Sequence, residues 1–120
     1  TVVTYGAMVS ETEKAIKAVE EKGLSVELID LRTIYPIDRE TIAASVRKTG
    51  RFLSVTEGPT SFGVGAELMA IVNEDAFLSL EAPPTRLAGF DTTPPLPRGE
   101  HFYFHSAERI QYEIELLSKY

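Results

Sequence analysis

Apolar positions recur along the first two-thirds of the chain with two alternating periods, one strand-like and one helical. Val2–Tyr5 reads as a short strand, broken at Gly6 and Ala7. A helix follows. Ser10 and Glu13 stand at capping-box spacing, which predicts its start. Thr12, Ala15, Ile16 and Val19 then share one helical face, and Gly23 closes the helix by taking a left-handed conformation. Val26–Leu31 is the next strand, with apolar residues on both faces, as in a sheet covered on both sides. Pro36 ends the loop after it. Asp38 is placed to cap a second helix, with Ile37 and Ile42 at hydrophobic-staple spacing. That helix runs to about Lys48 and is closed by Gly50, with Arg47 and Lys48 set against the negative end of its dipole.

Phe52–Thr56 is a third strand. Gly58, Pro59, Gly63 and Gly65 lead from it into a helix carrying Ala66, Leu68, Met69, Ile71 and Val72, apolar around most of its girth and therefore well buried. Strand and helix thus alternate three times, the pattern of parallel βαβ units. Arg86–Gly89 is a short fourth strand. Pro83, Pro84, Pro94, Pro95 and Pro97 then interrupt both periods, and 91–105 reads as an extended surface loop. Ser106 caps a last helix whose Ile110, Ile114 and Leu117 face the core.

Composition narrows the chemistry. The 120 residues fit one domain, residues 1–120. There is no cysteine, which excludes disulfides, cysteine-ligated metals and thiol catalysis. No apolar run is long enough for a membrane span, and no signal peptide opens the chain. The net charge is −6, and it is uneven: residues 1–60 carry −1 and residues 61–120 carry −5. An acidic surface repels a phosphate backbone, so nucleic acid is not an expected partner; the excess would suit a basic protein partner, but taken by itself it is better read as serving solubility. The chain opens at Thr1 with a strand-like run and no Met, which fits a piece of a longer subunit.

No complete active site is visible. Phe62-Gly63-Val64-Gly65-Ala66 lies where a phosphate would meet a helix N-terminus, but Leu68 replaces the third glycine of a dinucleotide fingerprint, and close packing explains the glycines better. His101 and His105 lie in a Pro-bounded aromatic segment without a third ligand, so no metal site is expected. Glu57, at the end of the third strand, is placed either as a general base or as a cap on the glycine-rich turn. The most unusual stretch is Asp30-Leu31-Arg32-Thr33-Ile34-Tyr35-Pro36-Ile37-Asp38. Arg32 pairing with Asp30 or Asp38 would fix the loop, while exposed Ile34 and Tyr35 would make it an interface.

That stretch resembles a characteristic segment of the C-terminal domain of transketolase-like, thiamine-dependent enzymes. It is most like that of the beta subunit of the 2-oxo acid dehydrogenase first component, of pyruvate, branched-chain or acetoin type. Thr56-Glu57-Gly58 before Phe62–Glu67, Leu80-Glu81-Ala82-Pro83 before Arg86, and Gly89-Phe90-Asp91-Thr92 before Pro94 and Pro95 agree in order and spacing. The resemblance implies a three-layer α/β/α domain whose sheet is mostly parallel with one antiparallel edge strand. It implies a complete α2β2 enzyme, with an alpha subunit and a second beta subunit, that decarboxylates a 2-oxo acid on thiamine diphosphate and Mg2+ and passes the acyl group to a lipoyl arm. The enzyme would lie in the cytoplasm of a prokaryote or the mitochondrial matrix of a eukaryote. Cofactor and catalytic residues lie outside this domain in that family, so none is expected here. The resemblance implies that the domain instead serves assembly and docks the basic peripheral subunit-binding domain of the acyltransferase core. The resemblance assigns that contact to Glu81 and to the terminal carboxylate, here that of Tyr120; Arg32, Ile34 and Tyr35 of the exposed loop are the candidates for a further interface. A stand-alone small-ligand module binding at Gly63 and Gly65, or another transketolase-like enzyme, is the alternative.

Overall fold

A computed structural model describes residues 1–120. Four strands, β1 (Val2–Thr4), β2 (Leu28–Asp30), β3 (Leu53–Pro59) and β4 (Thr85–Gly89), form one sheet in the order β2-β1-β3-β4. Every neighbouring pair is parallel, with Val2 opposite both Leu28 and Leu53, and Val55 opposite Leu87. Because side chains alternate along the chain, β1 feeds two cores, and so does the segment made of Phe52 and the start of β3. Val2, Leu53, Val55 and Leu87 pack with Met8, Ile16 and Val19 of α1 (Met8–Glu20) and Ile110, Ile114 and Leu117 of α5 (Ala107–Leu117). Val3 and Phe52 pack on the other face with Ile42, Ala43 and Val46 of α2 (Arg39–Thr49) and Leu68, Val72 and Ala76 of α3 (Val64–Ala76). The layers are therefore α1 and α5, the sheet, then α2 and α3, the α/β/α arrangement that the resemblance implies.

Local signals explain most helix ends. Asp38 accepts the Thr41 backbone N–H at 3.1 Å and the Thr41 hydroxyl at 2.7 Å. Those two bonds hold its carboxyl below the usual carboxylate range. Gly50 takes φ +71° and returns its N–H to Val46 at 2.8 Å, closing α2. Ser106 accepts the Arg109 N–H at the start of α5.

The structure corrects four details. Helix α1 starts at Met8 with Ala7 before it, and no side chain caps it. Ser10 lies inside the first turn, because burying Met8 in the α1–α5 core draws the helix start toward the sheet. Strand β2 is only Leu28–Asp30, the length its single neighbour β1 can pair. The antiparallel edge strand implied by the resemblance is absent: β4 is the edge, and it is parallel. Pro94, Pro95 and Pro97 cannot donate to a ladder along that edge. Finally, 91–105 is not wholly extended. A 3-10 turn at Pro97–Gly99 leads into α4 (Glu100–Tyr103), whose Tyr103 is buried and donates its hydroxyl to the Phe90 carbonyl at 3.2 Å.

Phe52 is wholly buried between the sheet and the α2–α3 layer. Phe52→Ala is expected to cost about 3–5 kcal/mol, because the helices cannot collapse fully into the space left. Urea denaturation followed by circular dichroism measures it; a cost below about 1 kcal/mol would contradict the packing described.

Candidate functional site

Parallel strands begin along one edge of the sheet and end along the other. At the starting edge, the Leu53 N–H donates to the Thr1 carbonyl and the Thr85 N–H to the Phe52 carbonyl. Just before β4, the Glu81 N–H donates to the Gly50 carbonyl at 2.8 Å. The Glu81 side chain lies over Gly50 so closely that a Cβ there would stand 2.8 Å from its carboxyl carbon. Gly50 is required for its left-handed backbone, and the Glu81 side chain rests in the space its missing Cβ leaves. Arg51, the next residue, donates from Nη1 to Glu81 Oε2 at 2.6 Å. Arg51 is the more buried partner, while the Glu81 side chain keeps 62% of its surface exposed. Such a pair adds at most about 1 kcal/mol of stability, so its effect is chiefly to position Glu81.

Arg51 also lines a cavity of about 260 Å³ with Thr1, Leu24, Leu117 and Ser118. The C-terminal end of α5 therefore faces this same edge, and Tyr120, two residues beyond Ser118, is exposed. Glu81 and Tyr120 thus share the starting edge.

Arg32, Ile34 and Tyr35 lie at the opposite edge. Arg32 pairs with Asp30 at 2.9 Å rather than with Asp38. Ile34 and Tyr35 are exposed and line an open groove of about 460 Å³ with Ile37, Val64 and Ile71. Glu57 is at this edge too, but its carboxylate accepts no hydrogen bond from the turn; its Oε1 lies beside Gly6. Burial, and then the Glu57 charge, raise the Tyr5 phenol above its usual range.

The glycine-rich turn is a packing device. A Cβ on Gly63 would stand 2.4 Å from the Pro59 carbonyl oxygen, and one on Gly65 would stand 3.0 Å from Ser54 Oγ. The Asp91 carboxylate closes over the turn, accepting the Ser61 N–H at 2.8 Å and the Ser61 hydroxyl at 2.6 Å. Those bonds keep Asp91 below the usual carboxylate range, so the turn before α3 already carries a negative charge, which disfavours an approaching phosphate. His101 stacks on Phe102 with ring centroids 3.8 Å apart. His105 Nε2 is buried without a partner.

Comparison with known proteins places this geometry. The family model described as "Transketolase, C-terminal domain" matches residues 1–110. The chain belongs to that family. It is 57% identical over 119 residues to the pyruvate dehydrogenase E1 component subunit beta of Acholeplasma laidlawii, covering 99% of this chain and 36% of that protein. It is 50% identical over 109 residues to the protein of the same name from Staphylococcus aureus strain Mu50, covering 91% of this chain and 34% of that one. The domain therefore spans about a third of the length of these relatives. The inactive beta4 tetramer of a split-gene transketolase shares its fold, with a TM-score of 0.81 over 97% of this chain and 38% of that one, at 22% identity.

Sequence reasoning missed the partner of Glu81, because Gly50 and Arg51 are some thirty positions away. It also missed Phe77 and Leu78, which stand just past α3 and out of its apolar period. Had that period been followed to its end at Ala76, the two unassigned apolar residues would have stood out.

Two predictions follow from these contacts. Gly63→Ala must displace backbone, and is expected to lower stability by about 1–3 kcal/mol without removing any ligand site. Thermal unfolding measures the loss, and an unchanged midpoint would refute the packing role. Burial, reinforced by the Arg109 charge and opposed by the Ala88 backbone and Glu113, lowers the His105 pKa. The unfolded chain then binds the proton more readily, so stability falls as pH drops below about 6.5. His105→Gln should flatten the slope of stability between about pH 7 and about pH 5, above the range where the lowered carboxylates titrate. An unchanged slope in denaturation curves would count against it.

Proposed function

We propose that this chain is the C-terminal domain of the beta subunit of a pyruvate dehydrogenase first component, serving assembly and docking within a larger enzyme. The observation that carries the proposal is 57% identity to such a subunit across 99% of the chain. The complete enzyme would oxidatively decarboxylate pyruvate and transfer the acyl group to lipoyl groups, with an alpha subunit and a second beta subunit as partners in an α2β2 assembly. Relatives named for pyruvate favour that substrate over a branched-chain acid or acetoin. In a prokaryote the complex would work in the cytoplasm.

The family's thiamine diphosphate and Mg2+ do not fit the residues present here. The one glycine-rich turn at a helix start is packed against Pro59 and Ser54 and closed by the Asp91 carboxylate. No group of three or more His, Asp or Glu side chains is arranged to hold a metal ion. Chemistry at the cofactor would therefore fall to other parts of the enzyme.

What this domain offers is an acid on a fixed backbone. Glu81 is held by Gly50 and Arg51 yet mostly exposed, and the half of the chain that contains it carries −5 of the −6 net charge. Both features suit a basic docking partner, the peripheral subunit-binding domain of the acyltransferase core. Tyr120, exposed at the same edge, would supply the second contact. Arg32, Ile34 and Tyr35, at the other edge, would face the neighbouring subunits.

Calorimetric titration against that basic domain tests the assignment. Binding should weaken as salt rises, and Glu81→Lys should weaken it by about tenfold or more. A variant that melts like the parent and binds equally well would remove Glu81 from the contact.

A further inference from the structure

Beside Glu81 the surface is unusually apolar. Helix α3 ends at Ala76, and a single 3-10 turn, Phe77–Ser79, reverses the chain, with the Leu80 N–H returning to the Phe77 carbonyl at 3.1 Å. The turn throws its first two side chains outward: Phe77 is 62% exposed and Leu78 is 97% exposed. They open onto a groove of about 570 Å³ whose other walls are Leu80, Ala82, Pro83 and Pro84. Glu81 is the one charged residue in the lining.

The groove is held in shape. Arg47 donates to the Asp75 carbonyl at 2.7 Å, and Arg39 bridges Glu74 and Asp75 at 2.6 and 2.9 Å, which pins the end of α3 to α2. The Glu81 backbone is fixed to Gly50, and Pro83 and Pro84 restrict the far wall. Glu81 Oε2 is taken by Arg51, and its Oε1 accepts no hydrogen bond within the chain. A rigid apolar trough with one free carboxylate oxygen at its lip is a surface built for a contact.

We infer that this groove receives apolar side chains flanking a basic residue of the docking partner, so that Leu78 and Phe77 supply apolar burial while Glu81 meets the cation. The inference rests on the docking function proposed above and adds the groove to it. Charge selects the occupant. A second copy of a chain with net charge −6 would bring acid against acid, and an anionic membrane would be repelled in the same way.

Leu78→Ser and Glu81→Lys, each titrated against the peripheral subunit-binding domain at several salt concentrations, separate the two contributions. Leu78 is almost wholly solvent-exposed, so its replacement should leave folding intact. Leu78→Ser is expected to weaken binding by about tenfold, roughly the loss of one buried aliphatic side chain, with the salt dependence unchanged. Glu81→Lys should weaken binding and flatten the salt dependence. Unchanged affinity in Leu78→Ser with weakened Glu81→Lys would overturn the groove and leave the docking acid standing. Unchanged affinity in both would overturn the groove and remove Glu81 from the contact, whereas no binding by the parent would overturn the docking function itself. Sedimentation supplies a further arm: self-association of the parent, abolished by Leu78→Ser, would make a second copy the occupant and overturn the basic partner.

Discussion

Strands β1 and β3 lie in the middle of the sheet with each face against a helical layer, and much else in the molecule follows from that placement. Neighbouring residues Val2 and Val3 are both buried, yet they belong to different cores. Neither core can form without the other's strands, so α1 and α5 are coupled to α2 and α3 through the backbone of two short strands. Both faces are taken up by packing, with only small hydroxyls such as Thr4, Ser54 and Thr56 buried among them, so ionisable chemistry has no room there. It is left with the two edges, where strands enter and leave, and every candidate residue lies along one of them.

Features written within a few residues of one another were legible in the sequence. Asp38 and Gly50 bracket α2 as their side-chain and backbone chemistry requires, and Ser106 opens α5. Where a distant contact competed with a local signal, the distant contact decided. Ser10 has the chemistry of a cap, but burial of Met8 moved the helix start past it. The prolines after β4 ruled out a strand as expected. They did not reveal α4, which is anchored by Tyr103 reaching back to the Phe90 carbonyl.

The candidate site was less legible than the fold, for the same reason. Nothing near Glu81 in the chain marks it out from the other acids, and its assignment came through family resemblance. Its distinguishing physics is long-range: a carbonyl from Gly50, a guanidinium from Arg51 and an apolar trough from the end of α3. The glycine pair shows the converse. Gly63 and Gly65 look like a ligand motif when read locally, yet Pro59 and Ser54 crowd the positions a side chain would take there, and Asp91, which closes the turn, comes from beyond β4.

The two edges differ in how they hold their exposed groups, and that difference bears on what each can do. At the finishing edge, Arg32 is tied only to Asp30, two residues away, and Tyr35 projects almost free of the rest of the chain. Ordering such a loop against a partner costs side-chain and backbone entropy at the moment of binding. At the starting edge, a backbone hydrogen bond and a half-buried arginine hold Glu81 before any partner arrives, and the α2–α3 ion pairs hold the end of the helix before the turn that carries Leu78. A small partner domain has little surface to offer, so it gains most from a site whose geometry is already set. Extensive subunit interfaces can tolerate the looser edge, since many contacts share its ordering cost. The rigid edge is therefore the better platform for a small docking domain, and the looser one for a broad contact between large subunits.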